Sequence, residues 1–463
     1  MNVYGVLGST DGERPATRAQ RLLSLDVLRG FALLGIFMTN VNHFASPEEG
    51  GMHDMPIGAA KPAFVGWHAH LDLLITAVKW CFFESRMRTL FEILFGAGVI
   101  LLLTRIELGP NRDKAADIFS RRNMWLALFG IMHFVFVWSG DILFDYAFVA
   151  LLTLYPLRNL SPKCLIYCGL FLSLGCGTIA YGAFYNAPAV LKADDQLAQA
   201  RIDAQLHKPL TPAQRNLLAQ ASHRWSDLQG EADKSVRKTN SQSYIDSVLE
   251  RASGFIKQKS YYYGAGALPD LLGPMLIGMA LFRMGFLSGA LTLRTYGIVA
   301  LVGYGLSVPL SLLGVWEWSK ADYSMAAYIR WLALPTELVC VSGAIANASV
   351  VLILFKKGWM RPVTKSLAAV GRMAFSNYIG TSLLCDWLFL WGPFHLYGKL
   401  EFYQQLYVVA GVWAVNIIVS LLWLKVFAFG PLEWVWRSLT YWRLQSLRLE
   451  REPKNRVTLS ALS

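Results

Sequence analysis

Long apolar stretches separated by short polar ones set the pattern of this chain. About 20 apolar residues in a helix cross a hydrocarbon core of roughly 30 Å, and ten segments fit that description: 25–44, 90–104, 122–138, 142–157, 163–185, 267–285, 293–313, 329–355, 366–390 and 403–427. Within lipid every backbone N–H and C=O needs an internal partner, so the pattern predicts an all-α polytopic membrane bundle of about ten transmembrane helices. Segment 70–83 is an eleventh apolar stretch.

Positive charge decides what to do with the eleventh. Short cytoplasmic loops are enriched in Lys and Arg. The basic clusters are Arg14, Arg18 and Arg21; Arg105, Arg112, Lys114, Arg121 and Arg122; Arg158 and Lys163; Arg283 and Arg294; Lys356, Lys357, Arg361 and Lys365; and the tail from Arg437 to Arg456. Ten spans put all six on one side if 70–83 is an interfacial or re-entrant helix; a further crossing would scatter them. The expectation is a membrane protein with both termini cytoplasmic.

Domain organisation follows from the same pattern. Residues 1–20 read as a flexible cytoplasmic N-terminus, 21–185 as a first membrane half of five spans plus the interfacial helix, 186–265 as an extracytoplasmic polar insertion, 266–430 as a second half of five spans, and 431–463 as a cytoplasmic basic tail. The insertion holds little that builds a core of its own and reads as a helical cap or lid, with a low-complexity interaction tail as the rival. Thr211, Pro212 and Gln214 have the form of a helix start. Leu217, Leu218, Ala221 and Trp225 recur at helical spacing behind them. The first apolar segment has no small-residue cleavage site at its exit, which argues against a signal peptide.

Composition agrees: hydrophobic residues make up 54% and charged residues 16% of 463, with 16 Trp and 26 Phe. The net charge of +12 calls for no nucleic acid, because an anionic inner leaflet attracts basic loops; membrane lipids are the expected partners. Six cysteines lie in or beside apolar segments without a Cys-x-x-Cys pair or metal spacing, so buried packing is expected and no metal site. Nucleophile elbow, phosphate-cradling glycine loop and zinc-helix motifs are missing.

Polar residues at membrane depth therefore carry the candidate chemistry. Asp26 and Arg29 sit at one mouth of the first span, and Asn40, Asn42 and His43 at the other. Eleven residues from Arg29 to Asn40 give about 16 Å of helix rise, and Asn40 and His43 share a face. Ionisable groups at such depth are costly unless paired or facing a hydrated cavity; an intrahelical anchor pair is the plain alternative for Asp26 and Arg29. Arg86 and Arg88, on the sparsely charged side, are candidates to hold an anion, or else snorkel to lipid phosphates. His133 precedes a tight turn carrying Asp141, and an imidazole with a carboxylate beside it can take a proton from a hydroxyl; a lone helical His is more often structural. Glu337 behind Pro335 is a candidate cavity acid or a buried structural Glu. Arg372 can meet phosphates by charge-assisted hydrogen bonds, and with Asn377, Tyr378 and Asp386 it makes the ninth span unusually polar. Leu94-Phe95-Gly96-Ala97-Gly98 reads as a close helix-packing surface.

Several of these stretches together resemble the bacterial YeiB family, known mainly as domain of unknown function 418. They are Leu25-Asp26-Val27-Leu28-Arg29-Gly30-Phe31-Ala32-Leu33-Leu34-Gly35-Ile36 with Asn40, Leu94 to Gly98, Gly130 with His133, Gly140-Asp141-Ile142-Leu143, Gly371-Arg372-Met373-Ala374 with Asn377 and Tyr378, and Gly430-Pro431-Leu432-Glu433-Trp434-Val435-Trp436-Arg437. That family is more distantly similar to transmembrane acyltransferases, including bacterial O-antigen acetyltransferases and the lysosomal heparan glucosaminide acetyltransferase. The resemblance implies a cytoplasmic acyl-thioester donor of the coenzyme A type, no tightly bound cofactor, and a sugar, lipid or small-molecule acceptor across the membrane. Those proteins carry an Arg in the first helix and a His eleven residues later. Arg29 matches the Arg, and Asn40 stands at the second position. His43, one turn on, takes the role, or His133 reaches the same cavity, or the fold has lost catalysis.

The expectation is thus an acyltransferase with donor phosphates near Arg29 and Arg372, His133 and Asp141 at the acceptor hydroxyl, and Arg86 and Arg88 on the acceptor or the oxyanion. A transporter of an amphipathic metabolite and a noncatalytic scaffold are the alternatives. The sequence does not set the oligomeric state.

Overall fold

The computed structural model describes residues 23–47, 63–64, 66–109 and 112–449. The expected flexible segment 1–20 and the basic residues Arg451 and Arg456 lie outside them. Helices account for the architecture, and there is no strand among the described residues. In chain order they are α1 (Leu23–Ala45), α2 (Ala69–Phe82), α3 (Arg86–Glu107), α4 (Ala115–Phe136), α5 (Leu143–Leu157), α6 (Pro162–Phe184), α7 (Ala187–Gln205), α8 (Pro212–Ser241), α9 (Tyr244–Gly264), α10 (Ala267–Arg283), α11 (Leu293–Lys320), α12 (Met325–Tyr328), α13 (Thr336–Lys357), α14 (Arg361–Arg372), α15 (Ala374–Asp386), α16 (Gln405–Trp423) and α17 (Pro431–Tyr441).

Among the described residues six stretches are long and apolar enough to cross a membrane: α1, the run Gly66–Glu107, α6, α11, α13 and α16. A seventh is counted if α9 and α10, which meet at 70°, form one broken span. The chain is a helical membrane protein. Beside 267–285, which is counted only together with α9, three of the ten expected spans fall short of that measure, each for a local reason. The span at 122–138 lies in α4, which carries Arg121 and Arg122 within it; α5 is only a short apolar helix; and the span at 366–390 is broken at Met373 into α14 and α15. Segment 70–83 runs on into α3 as one stretch of 42 residues, interrupted where Ser85 adopts a left-handed φ of 52°.

Backbone approach sets how the bundle closes. A Cβ added to Gly30 would stand 1.9 Å from the Leu367 carbonyl oxygen, and one on Gly371 would stand 1.9 Å from that of Asp26. Glycines on both partners thus let α1 and α14 touch backbone to backbone. The same reciprocity joins α3 to α10: Gly96 meets the Met275 carbonyl and Gly278 that of Ile93, both at 1.9 Å. Small residues permit such contacts in lipid, where packing rather than water exclusion drives association. Gly98, in contrast, has open space beside it.

Between α6 and α10 the polar insertion forms three helices. Thr211 and Gln214 make a capping box at the start of α8, with Gln214 N donating to Thr211 Oγ1 at 3.2 Å and Thr211 N donating to Gln214 Oε1 at 2.9 Å. Helix α9 returns to the bundle: Tyr244 Oη donates to the Phe136 carbonyl at 2.8 Å and Arg251 Nε to that of Val135 at 2.9 Å. It therefore docks over the C-terminal end of α4. The segment expected to be a basic tail also differs, because its first residues form the docked helix α17, whose Trp436 Nε1 donates to the Arg122 carbonyl at 2.9 Å.

Candidate functional site

A cavity of about 250 Å³ opens inside the bundle between α1, α3, α4, α5, α14, α15 and α17. Asp26 and Ile36 both line it, and the ten residues between them on α1 correspond to about 15 Å of rise. One end carries the guanidiniums of Arg29, Arg105, Arg122, Arg372 and Arg437 with the carboxylates of Asp26 and Glu433. Phe91, Phe95, Leu126 and Phe375 wall its middle, and Ile142, Tyr146 and Tyr378 line the other end. A second space of about 20 Å³ continues past Tyr378, between Asn40, Trp138 and Thr381. Leu33, Ile36 and Tyr378 line both.

The carboxylates at the charged end have other duties. Asp26 Oδ1 accepts from Arg29 Nη1 at 3.0 Å, the expected i,i+3 pair. Glu433 reaches from α17 to the start of α15, where it accepts from Phe375 N at 2.7 Å, Ser376 N at 3.1 Å and Ser376 Oγ at 2.5 Å. Helix N-termini carry unsatisfied N–H groups and partial positive charge, so this carboxylate is held there. Around them, Arg122 lies over the Trp436 ring at 3.8 Å, Arg437 over Phe429 at 4.7 Å, and Arg372 Nη2 donates to the Ala428 carbonyl at 3.1 Å.

Beyond the apolar end sits the His133 and Asp141 pair. His133 lies in the last turn of α4, and the chain reverses through Trp138 to Asp141 before α5. His133 Nδ1 and Asp141 Oδ1 are 2.9 Å apart, and Asp141 Oδ2 accepts from Phe144 N at 2.8 Å. The second bond is of N-cap type and pins the carboxylate. An Nδ1–H donated to the carboxylate leaves Nε2 as the acceptor of a neutral ring. That Nε2 is buried and has no hydrogen-bond partner among the described residues. Gly130 makes the turn possible, since a Cβ there would stand 2.3 Å from Phe144 N and 2.8 Å from Asp141 Oδ2. The His133 ring lies 5.1 Å from that of Tyr378. His133 lines neither space; Tyr378, beside it, lines both.

Comparison with known proteins bears on the whole of this arrangement. Residues 281–443, which supply Arg372, Tyr378 and Arg437 to the cavity, match the family described as "Protein of unknown function (DUF418)". The uncharacterized protein YeiB of Escherichia coli K12 is 32% identical over 432 residues, covering 91% of this chain and 96% of that protein. The chain belongs to the YeiB family. The uncharacterized protein YxaH of Bacillus subtilis is 27% identical over 92% of this chain and 96% of its own length. An uncharacterized 39.9 kDa protein from the amylase 3′ region of Bacillus acidopullulyticus is 24% identical over 95% and 99%. No solved structure matches the chain.

Other expected site residues of this YeiB relative stand elsewhere. Asn40 lines the smaller space, whereas His43 packs its ring 6.2 Å from Trp138, which also lies 6.4 Å from the His133 ring. Arg86 is fully buried outside the cavity. It donates to Ser311 Oγ at 2.6 Å and to the Glu84 carbonyl at 3.2 Å, and it packs over Gly343. Arg88 makes a two-point pair with Asp270, at 2.9 and 3.0 Å, and a further bond to Glu92 at 2.8 Å. Glu337 lies beside Asp270 in the same cluster. These internal partners replace the acceptor or oxyanion expected of the two arginines, and neither lines the cavity. Asn377 holds α14, α15 and α16 together by donating to the Val370 carbonyl at 3.1 Å and Ser420 Oγ at 2.9 Å.

The structure adds residues that the sequence left without a role. Arg105 and Arg122 entered as topology markers and Arg437 as part of a tail, yet all three face the cavity. Lys259 on α9 is buried and donates to Asp145 Oδ2 at 2.7 Å and to the Asp141 carbonyl at 3.4 Å, while Tyr263 Oη donates to Asp145 Oδ1 at 2.7 Å. The insertion thereby clamps the turn that carries Asp141. A lysine inside a polar insertion gives no signal of this; Asp145, one turn after Asp141 in an apolar run, does.

Proposed function

We propose that the protein transfers an acyl group from a cytoplasmic thioester of the coenzyme A type to a hydroxyl or amine on the other side of a bacterial inner membrane. The observation that carries the reading is the His133 and Asp141 pair, with Nε2 unpartnered beside Tyr378, the residue at the apolar end of a cavity whose opposite end holds Arg29. Asp141 fixes the ring so that Nε2 takes the proton of an acceptor hydroxyl. The resulting oxygen attacks the thioester carbonyl carbon, the C–O bond forms as the C–S bond breaks, and the thiolate leaves to take up a proton. Arg29 and Arg372 hold donor phosphates by charge-assisted hydrogen bonds. A sugar or lipid acceptor enters past Asn40. Both termini on the cytoplasmic side follow from the distribution of Lys and Arg.

The test supplies purified protein in liposomes with radiolabelled acetyl-coenzyme A and a mixture of sugar acceptors, comparing the natural chain with His133→Ala and Arg29→Ala. Transfer by the natural chain and loss in both variants is expected; equal transfer by all three rejects the assignment. A transporter of an amphipathic metabolite is the second reading. It draws on the buried cluster of Arg88, Glu92, Asp270 and Glu337, since ionisable groups at membrane depth mark ion or substrate paths. Flux without covalent modification favours it.

A further inference from the structure

The cavity at the N-terminal end of α1 has two unlike halves. Five guanidiniums face two carboxylates at one end, and aromatic and aliphatic side chains form the rest of the wall. Asp26 pairs with Arg29 and, together with Glu433, also attracts Arg437, so two carboxylates are shared among the guanidiniums, and Glu433 is held at the first turn of α15 as well. Arg105 Nη2 is shielded and has no hydrogen-bond partner among the described residues. Like charges gathered in a low-dielectric recess repel one another, and among the described residues this end holds more guanidiniums than carboxylates. One negative charge does not balance it. Guanidiniums present planar donor forks that fit phosphate oxygens, which favours phosphate over a single carboxylate. The apolar walls run on toward Tyr146 and Tyr378 and offer nothing to a free inorganic ion.

We infer that this cavity binds an amphiphile with a diphosphate head and one apolar chain, the head among Arg29, Arg105, Arg122, Arg372 and Arg437 and the chain along Phe91, Phe95 and Phe375. Arg105, Arg122 and Arg437 are thereby binding residues, a role the motifs of the first helix do not assign. A soluble acyl thioester and a lipid diphosphate share this chemistry. The inference rests on the proposed acyl transfer only for the ligand's place in a reaction, and the cavity's own occupancy is measurable without an acceptor.

The experiment is a scintillation-proximity titration of the full chain in detergent with radiolabelled palmitoyl-coenzyme A. Geranylgeranyl diphosphate, inorganic pyrophosphate and palmitate serve as unlabelled competitors. Saturable binding is expected, with either tailed diphosphate competing far better than head or chain alone. A preference between the two tailed compounds assigns the soluble or the membrane-borne source, and either supports the inference. Arg122→Gln with Arg437→Gln is expected to weaken binding by about a hundredfold, two charge-assisted bonds being lost, and the corresponding Lys double variant to recover most of it. Should the Gln variant fail to fold, binding by the natural chain is expected to weaken with added salt, since screening acts on charge pairing. No saturable binding, pyrophosphate or palmitate competing as well as the tailed compounds, undiminished binding by the folded Gln variant, or salt-independent binding overturns the inference. The titration is repeated with His133→Ala; intact binding with no transfer by any form of the protein counts against the acyltransferase reading and leaves the cavity assignment standing.

Discussion

Asp141 gives one carboxylate oxygen to His133 Nδ1 at 2.9 Å and the other to Phe144 N at 2.8 Å, so the residue that orients the imidazole is itself anchored by the helix that follows. This double attachment distinguishes the pair from a chance contact. Replacing His133 by Gln keeps a polar side chain of similar reach but supplies no proton acceptor of comparable basicity. Positioned general bases contribute about 10²–10⁴-fold. His133→Gln and Asp141→Asn are each expected to lower acyl transfer within that range while the amount of folded protein changes little. Transfer assays normalised to folded protein check this, and undiminished rates in both variants contradict the assigned roles.

Much of the bundle was legible because apolar length is a strong signal, yet α4, α5, α14 and α15, which fall short of it, all line the cavity beside α1 and α3. Helix α4 carries Arg122 and His133, α5 follows Asp141 and holds Tyr146, and the break at Met373 separates Arg372 from Tyr378. A helix lining a polar recess needs polar residues, or an interruption, at depths where a lipid-facing helix tolerates neither. The same need makes its hydropathy weak. The pairing of His133 with Asp141 was legible since only eight residues separate them. Convergence of Arg105, Arg122 and Arg437 was not: it depends on α17 folding back against α4, and a basic segment after the last apolar run reads equally well as a topology signal. Spacing also said nothing of Arg88, whose partner Asp270 lies 182 residues away.

Lys259 and Asp145 form a buried ion pair at 2.7 Å, with side-chain exposures of 11% and 7%. Removing one member leaves the other charge uncompensated, which costs about 3–5 kcal/mol, whereas replacing both by apolar residues is often close to neutral. Lys259→Ala is therefore expected to lower stability by that amount, and Lys259→Met combined with Asp145→Leu to restore much of it. Denaturation in detergent by a double-mutant cycle measures the difference. Additive effects of the two substitutions would show that the contact does not clamp α9 onto the Asp141 turn.

Arg88 tests shape separately from charge. Its two bonds to Asp270 use two nitrogens of one planar group, and a third contact goes to Glu92. Lysine keeps the charge but cannot reproduce that fork. Arg88→Lys is expected to cost about 1–3 kcal/mol through the carboxylate left short of a donor, and Arg88→Leu about 3–5 kcal/mol. Thermal or denaturant unfolding of the two variants checks the order. A lysine variant as stable as the natural chain would mean that charge alone holds the cluster.

Gly30 and Gly371 face opposite ways across one contact, each with its α-carbon against a carbonyl of the other helix. A Cβ on either would lie 1.9 Å from a backbone oxygen, a distance that no side-chain rearrangement relieves. Helices α1 and α14 would have to move apart, and small-to-large changes in packed interiors cost about 1–3 kcal/mol. The displacement also has a direction: Arg29 and Arg372 adjoin the two glycines in sequence and line the same end of the cavity. Gly30→Ala and Gly371→Ala are each expected to lower the unfolding temperature and to weaken binding of palmitoyl-coenzyme A. Gly98→Ala, with nothing within 4 Å of its added methyl, is expected to leave the unfolding temperature as it was. If all three alanine variants unfold with the natural chain, the helices do not meet at the glycines.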